Sequence, residues 1–324
     1  MNTKEVSPRV SVLLPVRNSG KFLKDALNSI TAQSFKDFEV IVMDGGSTDG
    51  SLRILNEYSK KYPNIKVFSE PDESHYHAIH KALDRAVGDF VFILSASDGY
   101  VDRDWFKKCV DVMDANPDVS LVWGIPMYAA EDGRIIGPAY TYSHFLKRSG
   151  VGVNPSRSRM GTLKWIIKKF KLGELVSTAK KINTRNLRTM ARILLGATNI
   201  PQKQEWFHYW LRTGQIFPDG NMCVAKKPLR RCLKLYRPGV NEPGSWMSFF
   251  FDFNANGYLS YGIPTPANFA RLHRGQNTEV VKDFDEEDRV KYFSKLKKFR
   301  REYIRSQNAF AFVDRDGNAI VKIK

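Results

Sequence analysis

The 324-residue chain is 42% hydrophobic, 26% charged and 12% aromatic, which supplies enough apolar material for a large core and excludes global disorder. Its formal charge of +17, from 51 basic and 34 acidic side chains, fits an anionic partner such as phosphate, nucleic acid or an anionic membrane surface. Three cysteines without metal-ligand spacing, no apolar signal core and no run of eighteen apolar residues point to a reduced, cytoplasmic protein without a transmembrane helix.

The first 125 residues alternate between short apolar runs and amphipathic stretches. Val10–Pro15 reads as a buried strand and Lys21–Gln33 as a helix, with Phe22, Ala26, Leu27 and Ile30 at helical spacing. Phe38–Met43 is the second strand and Ser51–Tyr62 the second helix, with Leu52, Leu55 and Tyr58 on one face. Ile65–Phe68 is a short third strand, and Tyr76–Val87 a helix that Gly88 is expected to cap. Phe90–Leu94 is a fourth strand, Trp105–Ala115 a helix and Val119–Trp123 a fifth strand. Strands separated by helices imply βαβ units and a mostly parallel sheet. Such sheets bind ligands beyond the carboxyl ends of their strands, so Pro15–Asn18, Asp44–Asp49 and Ser95–Asp98 are the candidate contacts.

From His144 to Ile200 the composition shifts to thirteen Lys/Arg against one acid, Glu174. Lys164, Lys168 and Lys171 share one helical face, and Lys181, Arg185, Arg188 and Arg192 another, so 144–200 reads as a basic amphipathic helical insert. Trp165, Ile166 and Phe170 beside these cations suit an anionic membrane surface, while a solvated face over a core helix explains them equally. No nucleic-acid-binding module is recognisable. Trp246–Asn254 reads as a helix, Tyr258–Ile263 as a strand, Asp283–Gln307 as a charged helix and Ala309–Lys324 as a β-hairpin. The expected division is therefore 1–125, a connection at 126–143, the insert at 144–200, a second half at 201–280, and a C-terminal helix with hairpin at 281–324.

Four blocks give the chain a specific likeness: VSVLLPVRN at Val10–Asn18, VIVMDGGSTDGS at Val40–Ser51, EPDESHYHAIHKA at Glu70–Ala82 and GDFVFILSASDGY at Gly88–Tyr100. Together they resemble the nucleotide-binding half of an inverting family 2 glycosyltransferase with a GT-A fold. The resemblance implies a donor site for a nucleotide-diphospho-sugar, a UDP-sugar in this reading, in residues 1–125. It implies an acceptor-binding half in 201–280 that takes a saccharide or lipid-linked acceptor in surface polysaccharide or glycolipid synthesis. Chemistry supports the blocks independently. Asp44, at a strand end, can accept hydrogen bonds from a ribose or a uracil-like N–H. Gly45 and Gly46 permit a sharp turn, and Ser47, Thr48 and Asp49 can cap the next helix. Alone, Asp44–Gly50 is equally a plain strand–helix turn. Pro15, Val16, Arg17 and Asn18 on the adjacent strand end complete the expected cradle.

Ser97-Asp98 stands where the family carries its acidic metal motif. Asp98 would hold a Mn2+ or Mg2+ bridging the diphosphate, but Ser97 replaces an acid, and a lone carboxylate binds a hard cation weakly. The plainer reading has Asp98 capping the helix that begins near Asp102. His75, His77 and His80 form an H-x-H-x-x-H cluster where relatives carry Asp and Asn. With Lys81, His77 and His80 are candidates for phosphate contact, or ligands of a transition metal, or simple exposed residues. Arg271-x-His273 with Gln276 matches a further motif, Arg271 suiting a diphosphate and His273 a metal or phosphate oxygen, while a solvent-facing salt-bridge role fits either equally. The family's base falls near Ser245–Met247, where no acid stands, so Glu242 and Asp252 are the candidate general bases. Two alternatives remain beside an active transferase: a non-catalytic nucleotide-sugar-binding scaffold, and a basic protein docking on membrane or nucleic acid.

Overall fold

The computed structural model describes residues 7–138, 200–216, 219–233, 246–273, 282–306 and 310–322. The apolar runs of the first hundred residues become β1 (Val10–Val16), β2 (Phe38–Asp44), β3 (Ile65–Ser69) and β4 (Phe90–Ile93). Between them lie α1 (Leu23–Thr31), α2 (Ser51–Lys61) and α3 (His75–Arg85). These four strands pair in parallel in the order β3-β2-β1-β4. Their side chains alternate between two cores, as a strand's period of two requires. Val10, Val12, Leu14 and Val16 face α1, α2 and α4 (Trp105–Ala115), while Leu13, Ile41, Met43 and Ile93 face α3 and the later helices.

Beyond β4 the sheet becomes mixed. β6 (Val119–Ala129) is twice as long as the apolar run expected for it and does not pair with β4. β8 (Cys223–Ala225) lies antiparallel between the two. β6 pairs in parallel with β9 (Leu259–Arg271), which in turn carries the two-residue β5 (Gly99–Tyr100). β7 (Ile135–Pro138) folds back on β6. The two halves drawn from the sequence, 1–125 and 201–280, therefore share one sheet.

Helices α5 (Lys203–Thr213), α6 (Lys226–Cys232) and α7 (Trp246–Ala255) cover the α3 side. The C-terminal helix α8 (Lys282–Arg305) and the hairpin β10 (Ala311–Val313) with β11 (Ala319–Lys322) follow as expected. The cysteines are unbridged and buried. The basic insert at 144–199, Glu242 and Gln276 lie outside the described residues. Among the described residues no helix is long and apolar enough to cross a membrane.

Gly88 is not the helix cap expected of it. α3 ends at Ala86, and the glycine serves a close approach instead: a Cβ there would lie 2.7 Å from the backbone of Ser11. The Ser11 hydroxyl accepts from Gly88 N–H (2.9 Å) and donates to the buried carboxylate of Glu39 (2.7 Å). Glu39 also accepts from Val87 N–H and from Lys66, so each buried polar atom of the knot has a partner.

Candidate active site

The parallel pairing fixes where the polar residues emerge. Val16 is paired with Asp44 and Asp44 with Ser69, so the carboxyl ends of β1, β2 and β3 stand side by side. Leu94 N–H, just past β4, donates to Leu13 O and carries the next loop to the same edge. Asp44 is fully buried. Its carboxylate accepts from the Ser69 hydroxyl (2.7 Å) and from Ser47 N–H (3.2 Å).

The loops after β1 and β2 are stitched to each other. Asn18 adopts φ +47°, a left-handed conformation that asparagine tolerates. From there its side-chain oxygen accepts from Thr48 N–H (2.8 Å), and its own N–H donates to the Ser47 hydroxyl (2.9 Å). Asp49 accepts from Gly20 N–H (2.8 Å), Ser51 N–H (3.0 Å) and the Ser51 hydroxyl (2.6 Å). Burial raises its carboxyl, but these hydrogen bonds outweigh that and hold it below its ordinary value. Asn18 and Asp49 therefore hold the walls of the cradle; the N-cap position of α2 is Gly50, not the Ser47, Thr48 or Asp49 expected, and Asp49 reaches the first helical N–H, Ser51, from one residue before the cap. Gly46, at φ +79°, makes the turn between Asp44 and Ser47.

Asp72 is a residue the sequence reading passed over. A methyl group on Gly45 would collide with its carboxylate, so only glycine lets Asp72 lie across the floor of the loop. The side chain is 7% exposed and stands 4.0 Å from the guanidinium of Arg17, which is 63% exposed. Burial raises the Asp72 carboxyl; Arg17, Lys81 and His77 oppose this and Asp44 adds to it. The missed signal was in the block itself: an Asp beside Pro71, a few residues past the end of β3, belongs to the third strand tip of the same edge.

α3 begins below this acid. The Ser74 hydroxyl caps it by accepting His77 N–H (3.1 Å), and Glu73 N–H donates to His77 Nδ1 (3.2 Å). His75 is pushed down to about 4 by burial, and burial also lowers His80. Burial thus disfavours the cationic form of both rings. Lys81 donates to Pro71 O (2.7 Å) and lies 3.7 Å from Glu70, which also pairs with Arg85. Among the described residues no three His, Cys, Asp or Glu converge as metal ligands, and the transition-metal reading of the histidines has no cluster to stand on.

Across the edge, Asp98 is not a helix cap: its N–H closes a turn to Ser95 O, and α4 starts seven residues later. Asp98 Oδ1 accepts from the Ser97 hydroxyl (3.2 Å) and from Arg271 N–H (3.1 Å). Arg271, expected to meet a diphosphate, is 2% exposed and acts as a strap. Its guanidinium donates to Ser97 O (3.0 Å), Glu131 O (2.7 Å) and Asp25 (2.6 Å), and stacks over Phe22 and Phe269. His273 lies against Phe22, with ring centroids 4.6 Å apart. The buried Asn221 pins the neighbouring strands, bonding to both backbone groups of Gly124 and to Asn268. Gly220 keeps the space beside Asn268 and Asp98 Oδ2 clear of a side chain.

Asp252 is misplaced for a base. It sits one turn from the end of α7, which hands the chain to β9 at Leu259, opposite Val119 at the start of β6. Arg271 and Asp98 lie at the other end, opposite Ala129. Ten strand residues separate the two ends, on the order of 30 Å.

The described donor set does not form a protein-only metal cage. A hard cation commonly takes one or two carboxylates and completes its shell with substrate phosphates. Asp98 fits that role only together with a diphosphate.

The glycosyl transferase family 2 profile matches residues 11–171 of the chain. A PGL/p-HBAD biosynthesis glycosyltransferase of Mycobacterium bovis is 30% identical over 122 residues, covering 36% of this chain and 46% of the relative. Chondroitin synthase of Escherichia coli is 27% identical over 135 residues, covering 42% of this chain and 20% of that one. The chain thus matches less than half the length of these curated relatives. A mannosyltransferase of Pyrobaculum calidifontis, solved with GDP-Man and Mn2+, superposes with a TM-score of 0.52 at 17% identity, covering 91% of this chain and 65% of the other. That likeness shows a shared GT-A fold.

Proposed function

Starting from the match of residues 11–171 to the glycosyl transferase family 2 profile, we propose that the chain transfers a sugar, with inversion, from a nucleotide-diphospho-sugar to a saccharide or lipid-linked acceptor. The reading includes a UDP-sugar as donor, a place in surface polysaccharide or glycolipid synthesis, and work at the cytoplasmic face of a membrane. The observation that carries it is the edge where Val16, Asp44 and Ser69 stand in register, with Asp72 laid across Gly45 and Asp98 on the next loop.

Each residue then has a task. Asp44 and Asp72 present carboxylates to the N–H and hydroxyl groups of base and ribose. Arg17, exposed at the rim, meets the negative charge of the diphosphate. Asn18, Ser47 and Asp49 keep the two loops closed around it, so that little reorganisation is needed on binding. Asp98 faces the diphosphate and, with its oxygens, would hold a divalent cation whose charge stabilises the leaving group. Arg271 holds the Asp98 loop in place from behind. Inversion needs an acid on the acceptor side to take the hydroxyl proton during in-line attack. With Asp252 at the far end of β9, Glu242, four residues before α7, is the proposed base.

Calorimetry with UDP and GDP tests the cradle, and a donor panel assayed with and without Mn2+ tests transfer. Binding of UDP together with turnover supports the enzyme. UDP binding without turnover by any donor favours a nucleotide-sugar-binding scaffold, and no nucleotide binding at all defeats both readings. Replacing the base, Glu242→Gln, is expected to lower kcat about a hundredfold or more, whereas Asp252→Asn leaves it near the parent value.

A further inference from the structure

We infer that the outward face of α8 docks on an anionic lipid bilayer. This goes beyond the transfer reading and stands even if no donor is found. The helix is fixed from behind. Tyr292, Leu296 and Tyr303 are buried, and the Tyr292 hydroxyl accepts from Trp210 Nε1 (2.8 Å) and donates to Gly214 O (3.1 Å). Phe299 packs on Trp210 and Phe251, and Tyr303 on Phe207. A helix held by one stripe presents the opposite one to solvent.

Away from that stripe stand Val290, Lys297 and Arg301, with Ile304 and Phe293 on its flank, the Phe293 ring edging Gly214. Val290 is 62% exposed, Phe293 42% and Ile304 68%. The first turns of the helix carry five acids, Asp283, Asp285, Glu286, Glu287 and Asp288, while 289–305 carries eight Lys/Arg and a single acid, Glu302, so the positive charge is confined to the C-terminal part. Residues 290–304 extend roughly 21 Å, enough to lie along a surface. Two features together select the occupant. The positive charge complements anionic headgroups. The large exposed aliphatic side chains gain nothing on a nucleic-acid backbone, which is met by cations and polar groups, but are buried when a helix settles at the headgroup–acyl boundary. Long Lys and Arg side chains can then reach back to the phosphates.

The test is co-sedimentation of the full chain with vesicles of phosphatidylcholine alone or of equal parts phosphatidylcholine and phosphatidylglycerol. Binding only to the anionic vesicles is expected, weakening with salt. Replacing Lys297 and Arg301 by Glu is expected to lower partitioning at least about thirtyfold, since each cation near such a surface contributes about a factor of five. Replacing Val290 and Ile304 by Ser, which changes no charge, is expected to lower it roughly fivefold. A dye on Lys297→Cys provides an independent readout, because the native cysteines are buried; its emission should shift to the blue on anionic vesicles. The inference is overturned if the full chain ignores anionic vesicles, if both α8 variants bind like the parent, if only substitution of Lys181, Arg185, Arg188 and Arg192 abolishes binding, or if the dye on α8 stays in water.

Discussion

The two sides of the strand edge are built on opposite plans. On the β1–β3 side, small polar side chains and loop amides hold one another, and the acids Asp44 and Asp72 are kept in place by neutral donors and by a glycine. On the β4–β9 side a single buried arginine ties four segments together and leaves Asp98 as the acid of its loop. The first plan spreads the work over many weak bonds, so single changes there should be tolerated structurally and felt in binding. The second concentrates it, so single changes should be felt in both stability and turnover.

The largest expected effect is at Asp98. Asp98→Asn keeps the size of the side chain and removes its charge at the proposed diphosphate position. We expect kcat to fall about a hundredfold to a thousandfold, with UDP affinity changed far less, as read by single-turnover assay and calorimetry. Turnover at the parent rate would separate Asp98 from the chemistry altogether.

Next is Arg271. Arg271→Met leaves Asp25 and the carbonyls of Ser97 and Glu131 without their donor and loosens the backbone N–H that reaches Asp98. Asp25 is 55% exposed, so the cost lies mainly in the lost hydrogen bonds of the buried guanidinium, about 1.5–3 kcal/mol, visible as a lower denaturation midpoint. Lysine cannot reproduce the planar fork, so Arg271→Lys should restore little stability. A direct diphosphate role would instead give normal stability and a raised KM, which distinguishes a ligand contact from a strap.

Asp44→Asn sharpens the comparison from the other side. It weakens the charged acceptor proposed to meet the base or ribose, and hydrogen bonds to charged groups are worth about 1.5–3 kcal/mol. UDP affinity should drop roughly tenfold to a hundredfold. Equal loss of affinity and of folding stability would mean that Asp44 serves only Ser69 and Ser47.

What the sequence revealed divides along the same line. Apart from the two-residue β5, the β1–α4 elements were legible within a residue or two, because buried parallel strands and amphipathic helices write their period directly into the chain. The position of Asp44, Asn18 and Asp49 at the strand edge was legible because that edge collects whatever follows each strand. The mixed half was not: β8 is three residues long, and nothing local in Cys223–Ala225 announces that it will separate β4 from β6. The two roles weighed for Arg271 could not be separated for the same reason, since an arginine in a motif looks alike whether it meets a ligand or the chain's own carbonyls. Asp252 was drawn in by its nearness in sequence to the family's base position, and the direction of α7 carries it to the wrong end of β9. Gly88 looked like a cap because it follows a helix, while its contact is with Ser11, far away in the chain.

The finest test sets two acids of the cradle against each other. Hydrogen bonds hold Asp49 below its ordinary 3.8, so its contribution to stability is present above that value and is lost as pH falls through the depressed folded value. Asp49→Asn should therefore cost about 1 kcal/mol at neutral pH, and its deficit should close in acid. Burial raises Asp72 above the same 3.8, so its contribution is complete below that value and is lost as pH rises through the raised folded value. At neutral pH Asp72→Asn should melt at or above the parent temperature, and its advantage should vanish in acid. If Asp72 is kept ionised for a nucleotide, that same variant should bind UDP more weakly while being no less stable. A loss of stability at neutral pH in Asp72→Asn would instead make it a second Asp49, a brace holding the loop rather than an acid held ready for a ligand.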